Sequence, residues 1–65
     1  MSAALVKVPH TLAKTGLSRS AMYRLLRAGQ FPAPVKIGRS IAFADAEIDA
    51  WIAAKLAERD AGAQP

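Results

Sequence analysis

Sixty-five residues limit the chain to one small domain, and with no cysteine and a single histidine it offers neither a disulfide nor the ligands of a typical metal site. The apolar fraction is 52%, but much of it is alanine, so the core must be one compact cluster of a few large side chains. The net charge of +4 conceals an asymmetry: residues 1–43 carry Lys7, Lys14, Arg19, Arg24, Arg27, Lys36 and Arg39 and no acid, whereas residues 44–65 carry five acids against Lys55 and Arg59. A long, purely cationic segment suits a polyanion such as DNA.

The opening MSAALVKV has only a short apolar run, broken by Lys7 and Pro9, so no signal peptide is expected. No stretch approaches the roughly 18 apolar residues that a bilayer span requires. A cytoplasmic protein, at the nucleoid when bound to DNA, is the expectation, with no membrane partner.

Leu5 to Val8 reads as a brief extended segment stopped by Pro9. Pro9 suits the first residue of a helix, where a missing N–H costs nothing, so a first helix is expected over 9–15 with Leu12 inward. Gly16 follows as a left-handed turn residue, and Leu17 is expected to be the buried hinge. Ser18 is a strong N-cap, opening a second helix over 19–28 that Gly29 closes. Met22, Leu25 and Leu26 form an apolar stripe at helical spacing. Arg19, Ser20, Tyr23, Arg24 and Arg27 fall on the remaining surface.

Phe31-Pro32-Ala33-Pro34 cannot be helical, since each proline disfavours helix in the residue before it. It is expected as a connector with Phe31 packed on the core. Val35 to Ile37 and Ile41 to Phe43 alternate as half-buried strands do, with Gly38-Arg39-Ser40 as the turn between them. Asp45 or its neighbour begins a third helix whose early acids complement the helix dipole. Ile48, Trp51, Ile52 and Leu56 form its apolar stripe, and the helix is expected to end near Asp60. The chain thus divides into a domain over 1–59 and a flexible tail over 60–65.

These elements predict a mainly α fold with a small β-hairpin: a winged helix-turn-helix of three helices plus a wing. Helix, tight turn and helix present side chains to the DNA major groove. Ser20 and Arg24 share a face at i and i+4, and Arg27 extends it. Tyr23 beside them can contact phosphate or sugar, and Arg19 with Ser18 at the helix start suits a phosphate. Lys36 and Arg39 of the hairpin are placed to reach the backbone or an adjacent minor groove. The competing reading is a hairpin that only completes the core. His10 reads as a surface or capping residue. No arrangement for nucleophilic, acid–base, cofactor or metal chemistry is visible, so no enzyme is expected.

The stretch VPHTLAKTGLSRSAMYRLLRAGQFPAPVKIGRSIAFADAEIDAWI resembles the AlpA family of small phage and prophage regulators, which belongs with the excisionase-like, MerR-type winged-helix proteins. The likeness covers about Leu5 to Leu56. It implies DNA binding by Ser18, Arg19, Ser20, Tyr23, Arg24 and Arg27, with Lys36 and Arg39 from the wing. It also implies a transcriptional regulator or an excisionase, a factor that turns an integrase toward excision. The expected partners are double-stranded DNA, an integrase of the tyrosine recombinase kind, and further copies bound cooperatively on DNA. Thr11 departs from the pattern, standing where an aliphatic residue is common; Ala42 and Ala44 flank Phe43 where many relatives have basic residues and a tryptophan. An alternative of a different class is an adaptor that binds an integrase or polymerase with little DNA binding of its own.

Overall fold

The structure is a computed structural model and describes residues 3–62. The order of elements is β1 (Leu5–Lys7), α1 (Val8–Thr15), α2 (Arg19–Arg27), β2 (Val35–Ile37), β3 (Ser40–Ala44) and α3 (Asp45–Gly62). The three strands form one antiparallel sheet in the order β1-β3-β2, so the central strand is the last of the three in sequence. The expected hairpin is β2 and β3; β1 adds itself to the far edge of β3, with Val6 opposite Phe43 and Lys7 opposite Ala42.

Local chemistry explains where the helices begin and end. Ser18, with extended backbone, accepts from Ala21 N–H through its hydroxyl at 3.1 Å and starts α2. Gly16 ends α1 in the left-handed region at φ 74°, its N–H bonded to the Leu12 carbonyl. Few residues but glycine hold that conformation cheaply. Gly29 does the same after α2, at φ 71°.

The core lies between the helices and one face of the sheet. Met22, Phe43 and Ile48 are fully buried, joined by Val8 and Phe31. Each such side chain contributes about 1.5–3 kcal/mol on removal from water. Leu25 and Leu26 pack against this cluster, as the stripe on α2 predicts. Phe31 sets its ring edge-on to Phe43 at 5.4 Å and to Trp51 at 5.0 Å, which fixes the double-proline connector to α3.

Several expectations are adjusted. α1 starts one residue earlier, with Val8 in the core and Pro9 at its second position. Leu12 and Leu17 are only half-buried, and the innermost residue of α1 is Thr11. Its hydroxyl donates to the Lys7 carbonyl at 3.0 Å, so a polar side chain sits in the core with its hydrogen bond made. The third helix runs past Asp60 to Gly62; residues 63–65 of the expected tail lie outside the described residues. Leu56 was expected in the core stripe but is 46% exposed. An 18-residue helix is about 27 Å long, and residues 53–62 are all exposed, so its C-terminal part extends beyond the core. Trp51 is half-buried, its indole N–H donating to the Gln30 carbonyl at 2.9 Å.

The acids at the start of α3 have a role beyond the helix dipole. Lys14 of α1 bonds Asp45 and also Asp49, the latter at 2.7 Å. The hydrogen bonds to Asp45 first and Asp49 second hold the Lys14 ammonium above its ordinary pKa. The pair ties α1 to α3 and withdraws one cation from the basic half of the chain.

Candidate nucleic-acid interface

All eight residues singled out from the sequence are exposed: Ser18, Arg19, Ser20, Tyr23, Arg24 and Arg27 on α2 or its cap, and Lys36 and Arg39 on the hairpin. On α2, Ser20, Tyr23, Arg24 and Arg27 recur at i, i+3, i+4 and i+7 and so share one face, opposite fully buried Met22. Burial of Met22, Leu25 and Leu26 leaves the helix no rotational choice about which face it shows to solvent. Arg24 and Arg27 lie in the last turn, where the helix dipole favours cations. At the other end, the Arg19 and Ser20 N–H groups have no acceptor within the helix. The Ser18 hydroxyl is committed as acceptor to Ala21 N–H, but its own hydrogen remains available to an outside group.

Arg39 occupies the second position of a two-residue turn between paired Ile37 and Ser40. Gly38 takes the first position at φ 60°, the conformation a tight hairpin turn of this kind demands. The turn therefore lifts Arg39 to the tip. Lys36 lies opposite Ile41 and so belongs to the face of the sheet that looks toward the helices.

Sequence distance between Tyr23 and Arg39 vanishes in the fold. Both line one open groove of about 400 Å³, together with Lys7, Val8, Pro9, Ser40 and Ile41. The groove joins the outer face of α2 to the hairpin tip across the start of α1. Lys7, Pro9 and Ser40 were not singled out as site residues from the sequence. Lys7 counted only toward the cationic total, and no local pattern shows that β1 pairs with β3 and carries Lys7 there.

Electrostatically the region has one sign. Lys7, Arg19, Arg24, Arg27, Lys36 and Arg39 take part in no ion pair among the described residues. The ion pairs present engage Lys14, Lys55 and Arg59. Six unneutralised cations thus remain on the half of the chain that holds α2 and the hairpin. Among the described residues no group of three or more His, Cys, Asp or Glu could hold a metal ion, and no helix is long and apolar enough to cross a membrane.

Three helices around a small antiparallel sheet, with a hairpin beside the second helix of a helix-turn-helix, define a mainly helical protein of the winged-helix type. The family model described as prophage CP4-57 regulatory protein (AlpA) matches residues 4–56, and the chain belongs to that family of phage regulatory proteins. A relative, an uncharacterised protein ORF88 of Enterobacteria phage P4, is 40% identical over 58 residues, which cover 88% of this chain and 66% of the relative. The chain thus spans just under two thirds of that relative's length. No solved structure matches it.

Proposed function

We propose that the chain is a sequence-specific, double-stranded DNA-binding protein of a phage or other mobile element, acting as transcriptional regulator, excisionase or both. The observation that carries this reading is the groove that brings Tyr23 of the exposed α2 face together with Arg39 of the hairpin tip and Lys7, with no acid in its lining.

In this reading α2 enters the major groove. Ser20 and Arg24 meet base edges, Arg24 being long enough for the two-pronged contact that guanine favours. Arg27 extends the face. Ser18, Arg19 and the free N–H groups at the start of α2 take a phosphate. Tyr23 packs on sugar or phosphate at the edge of the groove. Lys36 and Arg39 follow the backbone or the neighbouring minor groove. The Lys14 pair with α3 holds the helix-turn-helix at a set angle to the rest of the domain.

A single domain of this kind covers only about 600–1,000 Å² of DNA-facing surface. Useful affinity therefore calls for several copies on adjacent sites or for an integrase that binds alongside. Selection of host genomic fragments with purified protein, read by sequencing at physiological salt, tests the reading. Short enriched sites beside an integrase gene or attachment site support excision, and sites confined to promoters support regulation. Recovery of nothing above a salt-sensitive background would mean that the isolated domain reads no sequence, and would favour an adaptor for an integrase or polymerase.

A further inference from the structure

We infer that β1 is a third DNA-contacting element, and that its Lys7 holds the sugar–phosphate strand dividing the groove entered by α2 from the groove met by the hairpin tip. The inference rests on the DNA binding proposed above and adds to it a residue, a strand and the chemical group they take.

In a duplex, one sugar–phosphate strand divides the major groove from the adjacent minor groove. With α2 in the first and Arg39 at the second, that strand must pass between them. The space between them in this protein is the groove of about 400 Å³ that joins Tyr23 of α2 to Arg39 and Ser40 of the hairpin. Lys7, Val8 and Pro9 line it from the junction of β1 and α1.

Sheet register explains why Lys7 is there. β1 runs antiparallel to β3 with Lys7 opposite Ala42, so the C-terminal end of β1 lies toward the start of β3 and the hairpin tip. The Lys7 backbone is fixed a second time by the buried Thr11 hydroxyl, which donates to the Lys7 carbonyl at 3.0 Å. A lysine on a pinned backbone loses less freedom on meeting a phosphate than one on a loose loop.

The chemistry of the groove matches a phosphodiester and its sugar. Lys7 and Arg39 are cations, the Tyr23 and Ser40 hydroxyls can donate hydrogen bonds, and Val8 and Ile41 offer apolar surface to a deoxyribose. No acid lines the groove. Two cations brought to one cleft without an acid repel each other, and elsewhere this fold avoids such a cost: Lys14 is paired with both Asp45 and Asp49. Lys7 and Arg39 take part in no ion pair among the described residues, so their field is left for an anion from outside. A small phosphate ion satisfies the cations but leaves the apolar wall unused, whereas a length of backbone satisfies both. Phosphate contacts position a protein without reading bases. Lys7 therefore adds affinity for any duplex, and the face of α2 chooses among duplexes.

Lys7→Met, which keeps an unbranched apolar stem and removes the charge, tests this on two duplexes, one with a selected site and one of random sequence. Binding to both should weaken about tenfold, and the slope of log affinity against log salt should fall by roughly one unit. Lys7→Arg should keep most of the affinity. Duplexes with one neutral methylphosphonate in place of each phosphate in turn then locate the contact. A substitution in the strand between the α2 site and the adjacent minor groove should weaken the natural protein and leave Lys7→Met unaffected. An unchanged affinity and slope for Lys7→Met on both duplexes, no methylphosphonate effect in that strand, or an effect that persists in Lys7→Met would overturn the inference. So would inorganic phosphate that shifts the Lys7 and Ser40 resonances as a duplex does, since the groove would then be a site for small anions. A loss by Lys7→Met on random DNA, with no sequence enriched by the natural protein, would keep the backbone contact and remove only the sequence-specific reading.

Discussion

Trp51 gives the sharpest energetic test of how the domain is held together, because two substitutions separate its ring from its N–H. The indole is half-buried, packs edge-on to Phe31 at 5.0 Å and bonds the Gln30 carbonyl just after α2. Removing about 100 Å² of apolar surface costs about 2.5 kcal/mol, and loss of the aromatic pair adds about 1 kcal/mol. Trp51→Ala is therefore expected to cost about 3.5 kcal/mol. A domain of this size holds roughly 3–5 kcal/mol in total, so the variant should be largely unfolded near body temperature. Trp51→Phe keeps the ring contact and frees a carbonyl that water can reach, so its cost should stay near 0.5–1 kcal/mol. Urea unfolding followed by far-ultraviolet circular dichroism measures both without relying on the lost fluorophore. If the two variants cost the same, the hydrogen bond outweighs the ring; if alanine costs under 1 kcal/mol, Trp51 does not anchor the connector. Either result refutes the packing argument.

The remaining predictions concern the interface and its support. Arg24→Ala should cost about 1–3 kcal/mol on a selected site and little on random DNA; equal losses on both would make Arg24 a phosphate contact. Arg39→Ala should weaken binding to every sequence and lower the slope of log affinity against log salt by roughly one unit, and an unchanged slope would take the hairpin tip out of the interface. Lys14→Met should lower the melting temperature more at low salt than at high salt, because part of each ion pair is open to solvent. Because Lys14 titrates above its ordinary value, its contribution is fully present below the unfolded-state pKa of 10.5 and fades as pH rises beyond it. A salt-independent loss would mean that the lysine stem, not its charge, joins α1 to α3.

Much of this protein was legible residue by residue because the signals are local. Ser18, Gly16 and Gly29 mark helix ends through hydrogen bonds and backbone angles that involve only near neighbours. Met22, Leu25 and Leu26 face inward because helical spacing puts them on one stripe, which leaves Ser20, Tyr23, Arg24 and Arg27 outside. The cationic half and the acidic half are a matter of composition.

Other features were settled only when distant segments met. β1 is three residues long and carries no pattern that names its partner, yet pairing with β3 brings Lys7 to the groove of Tyr23 and Arg39. Lys14 looked like one more basic residue until α3 brought Asp45 and Asp49 to it. Leu56 continues the apolar stripe of α3 but lies exposed, and periodicity cannot say where a core stops. Local geometry is set by atoms a few bonds or one helical turn apart, so the sequence alone determined it. Contacts between residues more than thirty apart, such as Lys14 with Asp45 or Val6 with Phe43, depend on how complete elements pack, and only the tertiary structure could decide them.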